Sequence, residues 1–199
     1  YTDVKLQIDA DVQAHLLVEV DGDDMDLLYK DCERIFEVME SFECGEILLA
    51  DSESQKNNIW KLRREIAESV KANSVYKEED TVVPRAELAK LLKGVKAIGK
   101  AYGFQSVCYG HAGDGNLHIN IIKGEMSDVD WNSKLTLGIR EIFELTYSLG
   151  GTLSGEHGIG LVQKDYMDIV FSEKALGLQK GIKNLFDPNG ILNPGKILK

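Results

Sequence analysis

The glycine-rich segment at residues 110–118 limits the fold more than any other part of the chain. It carries glycine at three of its nine positions, namely Gly110, Gly113 and Gly115. A glycine inside a helix costs about 1 kcal/mol relative to alanine, so a helix through this segment is unfavourable. The pair Asp114-Gly115 is typical of a tight turn between two strands. We therefore predict a β-hairpin with strands at residues 105–111 and 117–122.

Polar and apolar side chains alternate in the second strand of this hairpin. Successive side chains on a strand point to opposite faces of the sheet. One face therefore receives Leu117, Ile119 and Ile121, and the other receives His118 and Asn120. We expect the aliphatic face to join a core and the other face to present an imidazole and an amide to a ligand.

The rest of the chain alternates between strand and helix patterns. Apolar residues favour strands at 16–20 and 46–50 around a helix at 25–43, which would open a ferredoxin-like β-α-β unit. The same strand–helix–strand order is predicted around residues 81–122, where Pro84 begins a helix that Gly103 ends. Further helices are predicted at residues 54–73, 127–149 and about 172–186. The predicted fold class is α+β: ferredoxin-like units with an antiparallel sheet covered by helices, plus a C-terminal helical segment, in one domain over residues 1–199.

Composition excludes two classes of protein. The net charge of −10 argues against binding to nucleic acid, which would need a basic surface. No run of 18 apolar residues is present, so we expect no transmembrane helix. The three cysteines form no C-x-x-C motif, which favours a reduced, cytoplasmic protein. The chain starts without methionine in front of an apolar segment, and we expect it to be a domain of a longer protein.

A second glycine-flanked motif, Ser154-Gly155-Glu156-His157-Gly158, contains another histidine and a carboxylate. Neighbouring side chains in extended backbone point to opposite sides, so this motif can offer a carboxylate to a metal and, with some turning of the backbone, an imidazole to a neighbouring substrate. Two histidines and one carboxylate with an open position form a ligand set for a catalytic divalent metal. The long spacing between the two motifs differs from the H-E-x-x-H pattern of zinc proteases.

Two interpretations from different classes of protein remain open for these motifs. The site could belong to a stand-alone metallohydrolase in which metal-bound water is the nucleophile. It could also be a non-catalytic, ferredoxin-like ligand-binding module without metal. In that case the histidines are surface residues beside glycine turns.

Charged residues elsewhere give weaker signals. Arg63 falls within the apolar stripe of the second predicted helix, where it can pair with a carboxylate or cover the core with its stem. Lys77 and Asp80 precede Pro84 and are interpreted as solvated charges in a loop. Cys108 is expected to be a buried structural thiol.

Four blocks carry a resemblance to a known family. They are Trp60-Lys61-Leu62-Arg63, residues 110–120, residues 155–160, and residues 186–196 with Asp187-Pro188 and Asn193-Pro194-Gly195. In this order they resemble the C-terminal domain of FAD-linked oxidases of the vanillyl-alcohol oxidase/p-cresol methylhydroxylase superfamily. The branch with glycolate oxidase, D-lactate dehydrogenase and D-2-hydroxyglutarate dehydrogenase is the most similar.

The resemblance implies a role for each matching residue. His111, His118 and Glu156 match the ligands of a divalent metal, usually zinc. His157 matches the catalytic base, which takes the hydroxyl proton of a small 2-hydroxy acid while C2 gives hydride to the flavin. The remaining matches are substrate-binding Arg63 and Asn120 and the flavin-approaching Asn193.

The resemblance also implies what lies outside the chain. FAD would be bound mainly by an N-terminal domain that is absent from residues 1–199, and an iron–sulfur protein or a quinone would accept the electrons. The chain departs from the pattern of D-2-hydroxyglutarate dehydrogenases at Ala67, which lacks a hydroxyl, and at Glu78, where those enzymes have lysine. Both departures argue against a dicarboxylate substrate.

Overall fold

The computed structural model describes residues 12–198. The chain divides into two compact units, residues 1–68 and 69–199. In the first unit, helix α1 (Met25–Glu40) begins where the Asp24 carboxylate accepts hydrogen bonds from the backbone N–H groups of Asp26 and Leu27. Helix α2 (Glu53–Asn73) begins in the first unit and ends in the second.

The strands predicted at residues 16–20 and 46–50 are wrong. Neither stretch forms a strand in the structure, and most of its apolar side chains are exposed, with Leu16 at 63% and Leu48 at 64%. A strand is stable only when a neighbouring strand satisfies its N–H and C=O groups, and an apolar run does not supply that neighbour. Helix α1 also ends at Glu40, three residues before the predicted end.

The second unit contains one complete ferredoxin-like β-α-β-β-α-β order. Its strands are β1 (Tyr76–Val82), β2 (Gln105–His111), β3 (Asn116–Ile122) and β4 (Thr152–Leu153), and its helices are α3 (Leu88–Tyr102) and α4 (Asp128–Ser148). The strands lie in the order β2-β3-β1-β4, and each neighbouring pair is antiparallel. The predicted α+β class with an antiparallel sheet is therefore confirmed, with the ferredoxin-like unit at residues 76–153.

Local sequence explains where these elements begin and end. Pro84 precedes a 3₁₀ turn (Arg85–Glu87) that leads into α3, and Gly103 ends α3 in the left-handed conformation with φ of 87°. Gly115 has φ of 74°, and a Cβ there would collide with the Val83 carbonyl. The Ser127 hydroxyl accepts the Asp130 N–H and begins α4.

Helices α3 and α4 cover one face of the sheet and form the core with it. The core side chains are Val83, Leu91, Val95, Ile98, Phe104, Leu117, Ile119, Ile121, Trp131, Ile139, Ile142, Phe143, Leu153, Tyr166 and Met167. The predicted aliphatic face of β3 is thus confirmed. The C-terminal segment continues through a 3₁₀ turn (Lys164–Tyr166), α5 (Met167–Val170) and α6 (Glu173–Phe186). Within residues 12–198, no helix is long and apolar enough to cross a bilayer.

Candidate active site

The face of the sheet opposite α3 and α4 carries the candidate site. Residues directly opposite each other in antiparallel strands share a face, and Asp80 pairs with His118 while Glu78 pairs with Asn120. We call this surface of β1 and β3 the site face. It is polar in its central part, whereas the other face of β3 is aliphatic.

His118 is the centre of the cluster. It is 5% exposed, and its Nε2 lies 2.9 Å from Oε1 of Glu156. The ring of His157 stacks on the His118 ring with the centroids 4.7 Å apart. On the other side, Nδ1 of His118 lies 3.8 Å from Oε1 of Glu78 and 3.9 Å from Oδ1 of Asp80. One buried imidazole therefore meets both residues of the Glu156-His157 motif and two carboxylates of β1.

Asp80 connects the sheet to the Glu156-His157 motif. Its Oδ2 accepts hydrogen bonds from the backbone N–H groups of Glu156 and His157, both at 2.8 Å, and from the Ser154 hydroxyl at 3.1 Å. Its Oδ1 accepts one from Nδ2 of Asn116 at 2.7 Å. Burial by itself would raise the pKa of Asp80, but these four donors outweigh it and hold the pKa below its ordinary value.

The backbone of the motif turns instead of running extended. Ser154 adopts φ of 56°, a left-handed conformation that costs a non-glycine residue about 1 kcal/mol. At Gly155 a Cβ would collide with the side-chain amide of Asn116. These two residues bring the chain onto the sheet, so Glu156 and His157 both reach His118. Both side chains therefore face the same histidine, because the backbone turns at Ser154.

The structure brings together three of the predicted site residues, His118, Glu156 and His157. A group of possible metal-ligand atoms within 4.8 Å of one another comprises Glu78, His118 and His157. His111 is exposed at the end of β2, opposite Asn116, and lies outside that group.

The other predicted residues lie in different surroundings. Asn120 is fully buried on β3, and neither polar atom of its amide has a hydrogen-bond partner among residues 12–198. Arg63 is half-buried on α2 in the first unit, whereas Arg64 is exposed, in agreement with the predicted stripe. Asn193 is exposed with φ of 47° and accepts a hydrogen bond from Nζ of Lys196.

Sequence reasoning missed two carboxylates of the cluster. Lys77 and Asp80 were assigned to a solvated loop, which is wrong, because both lie in β1 and Asp80 is 2% exposed. Glu78 was noted only as a departure from a family pattern. The signal that could have found them is the alternation of side chains along a strand. Glu78 and Asp80 are two residues apart and therefore share a face, as do His118 and Asn120.

Comparison with known proteins identifies the family. The model of the FAD linked oxidases, C-terminal domain, matches residues 2–197, so the chain belongs to this family. It is 33% identical to D-lactate dehydrogenase of Anaerostipes hadrus over 94% of the chain, and 31% identical to glycolate oxidase subunit GlcD of Bacillus subtilis over 97%. It is 39% identical to D-2-hydroxyglutarate dehydrogenase of Stutzerimonas stutzeri over 75%. The chain spans only 33–41% of the length of these relatives.

Proposed function

We propose that this chain is the substrate- and metal-binding domain of an FAD-dependent 2-hydroxyacid dehydrogenase of the glycolate or D-lactate type. The observation that supports this function best is the meeting of His118, Glu156 and His157 on one polar sheet face. The names of the similar proteins support the reaction class, the oxidation of a 2-hydroxy acid to a 2-oxo acid.

The residues present fit a divalent metal. Two ligand atoms that each lie about 2.0–2.2 Å from one ion are separated by about 3 Å at a right angle and by about 3.4 Å at the tetrahedral angle. Nε2 of His118 and Oε1 of Glu156 are 2.9 Å apart, so a small outward shift of Glu156, which is half exposed, would open the tetrahedral spacing. We propose that these residues and His111 hold a divalent metal, with zinc favoured by the nitrogen and oxygen donors. When bound, the ion would act as a Lewis acid toward the substrate hydroxyl.

The side chains around this position divide the work of the reaction. The proposed base is His157, because imidazole exchanges protons near neutral pH and this ring lies against His118. It takes the proton of the substrate hydroxyl as C2 loses hydride. The buried, unpaired amide of Asn120 is suited to a polar substrate atom. Arg63 is proposed to bind the substrate carboxylate, since a guanidinium matches that group in charge and shape.

FAD supplies the hydride acceptor, and we propose that a domain beyond residues 1–199 binds most of it. Asn193 is the residue of this chain proposed to approach the flavin. The proposed electron acceptor of the whole enzyme is a quinone or an iron–sulfur protein. We place the enzyme in the cytoplasm, a reducing compartment that suits the free thiols of Cys32, Cys44 and Cys108.

The function can be tested in the full-length flavoprotein by anaerobic stopped-flow spectroscopy. D-lactate or glycolate should bleach the flavin absorbance. D-2-hydroxyglutarate should do so less efficiently, because Glu78 on the site face would repel a second carboxylate. If none of the three acids reduces the flavin, the proposed function is wrong.

The adjacent residues Glu156 and His157 provide a matched pair of variants. His157→Ala should keep the metal and slow flavin reduction by roughly 10²–10⁴-fold, the contribution of a general base. Glu156→Gln should lower the metal content and raise KM while lowering kcat. Metal analysis by mass spectrometry and stopped-flow rates distinguish the two. Wild-type flavin reduction by the His157 variant would contradict its assignment as the base.

Metal analysis can show which of two residues is the third metal ligand. The resemblance assigns this role to His111, whereas Glu78 lies in the group of possible ligand atoms around His118. Metal content should fall in His111→Ala and stay near the wild-type level in Glu78→Gln. The reverse result would assign the ligand to Glu78.

A further inference from the structure

We propose that Asp80 is a positioning residue whose carboxylate sets Glu156 and His157 against His118. Its effect on catalysis rests on the proposed function, whereas its effect on the motif does not. The group is 2% exposed and does not face the reacting atoms with a free oxygen, because both oxygens accept hydrogen bonds.

The hydrogen bonds of Asp80 account for the conformation of residues 154–158. The backbone N–H groups of Glu156 and His157 both end on Oδ2. The Ser154 hydroxyl donates to the same oxygen and accepts the N–H of Gly158. Directly or through Ser154, the carboxylate thus holds the three consecutive backbone N–H groups of Glu156, His157 and Gly158. These donors lie 74–77 residues away from Asp80 in sequence.

The backbone of Asp80 reinforces the same attachment. Its carbonyl accepts the Ser154 N–H at 3.2 Å and Nε2 of Gln163 at 3.0 Å. Strand β4 is only two residues long and pairs with Thr81 and Val82. The pairing of β1 with β4 therefore ends beside Asp80. Beyond this point the side chain of Asp80, rather than strand pairing, holds the following residues to the sheet.

The chemistry of the site requires a carboxylate rather than an amide. The two oxygens of Asp80 accept four hydrogen bonds, from two backbone N–H groups, one hydroxyl and the Asn116 amide nitrogen, and Nδ1 of His118 lies 3.9 Å from Oδ1. An asparagine side chain has one acceptor oxygen, and its NH₂ group would face another donor. Asp80→Asn preserves the shape and removes this match, which makes it a sharp probe.

Amide hydrogen exchange in the full-length flavoprotein tests the proposal without measuring activity. The peptide that covers residues 154–158 should exchange at least tenfold faster in Asp80→Asn than in wild type. The control is Thr81→Val, which removes a buried hydrogen bond to the Leu117 carbonyl from the next residue on the other face. Exchange of the 154–158 peptide should change less than twofold in this variant. Equal exchange in Asp80→Asn and wild type, or equal acceleration in both variants, would overturn the proposal.

A second variant keeps the test decisive if Asp80→Asn does not fold. Ser154→Ala removes one donor to Asp80 and the acceptor of the Gly158 N–H, so it should accelerate the same peptide by a smaller factor. Unchanged exchange in Ser154→Ala would then overturn the proposal.

Stopped-flow measurements add the catalytic readout. The limiting rate of flavin reduction should fall at least tenfold in Asp80→Asn and less than twofold in Thr81→Val. Equal limiting rates in Asp80→Asn and wild type would overturn the catalytic part of the proposal. If the wild-type flavin is not reduced by any of the three hydroxy acids, the proposed function fails, and the exchange data still decide the positioning role.

Discussion

Glu79 and Asp80 are adjacent carboxylates on opposite faces of one sheet, and their surroundings differ sharply. Glu79 is 1% exposed and Asp80 is 2% exposed, so both side chains are shielded from solvent. The oxygens of Glu79 have no hydrogen bond of good geometry among the described residues, and Lys77 Nζ is 3.8 Å away. Asp80 accepts four hydrogen bonds.

The two pKa values consequently move in opposite directions. Burial raises the pKa of Glu79 to about 7, although Lys77 and the nearby Gln163 lower it in part. Hydrogen bonds lower the pKa of Asp80 in spite of its burial. Hydrogen-bond donors therefore decide whether a carboxylate that is shielded from solvent remains charged. A buried charge is therefore costly on the core face, which is the face of the sheet covered by α3 and α4, and it is stabilised on the site face.

The largest expected effect is on the site face. His118→Ala removes a proposed metal ligand and should lower the rate of flavin reduction by roughly 10²-fold or more. The midpoint of thermal unfolding should change little, because no core side chain is lost. Stopped-flow spectroscopy and calorimetry of the full-length protein measure the two effects. A large loss of stability with retained activity would contradict the assignment of His118 to a functional site face.

The neighbouring residue on the core face should behave in the opposite way. Ile119 is fully buried among the core side chains, and Ile119→Ala should destabilise its unit by about 2–5 kcal/mol through lost packing and a cavity. The rate of flavin reduction at low temperature should stay within a few-fold of wild type. Denaturant unfolding measures the loss, and a change below about 1 kcal/mol would contradict the assignment of Ile119 to the core.

The stability contributed by Glu79 should depend on pH. Between its ordinary pKa of 4.5 and the folded value of about 7, the unfolded chain releases a proton that the folded chain keeps. Stability should therefore fall as pH rises through this range, by up to about 3 kcal/mol, and then level off. Glu79→Gln should remove this fall. Unfolding experiments at pH 5 and pH 8 test it, and an unchanged pH dependence in the variant would show that Glu79 is not its source.

The smallest effect is expected from Thr81, the core-face residue on the other side of Asp80. Its hydroxyl donates to the Leu117 carbonyl at 2.8 Å, and Thr81→Val should cost about 1 kcal/mol. Denaturant unfolding provides the measurement. A loss as large as that of Ile119→Ala would mean that this hydrogen bond supports more than one strand pair.

Much of the second unit could be predicted from local pattern. The glycine turn and the alternation of polar and apolar residues predicted the hairpin correctly. Its strands β2 and β3 occupy Gln105–His111 and Asn116–Ile122. The helices that become α3 and α4 were also predicted, and the end of α3 at Gly103 depends on nearby backbone alone. The strands at 16–20 and 46–50 were wrong because a strand depends on a partner that a local pattern does not contain.

The sequence by itself determined which reactive groups the chain has and which of them share a strand face, because both follow from residue type and a period of two. It identified His118, Glu156 and His157 as candidates. Only the tertiary structure decided that β1 lies between β3 and β4, which brings Asp80 to donors 36 and 76 residues away. Hydrogen bonding and burial depend on neighbours in space, and long-range strand pairing chooses those neighbours. That pairing gave two adjacent carboxylates opposite properties.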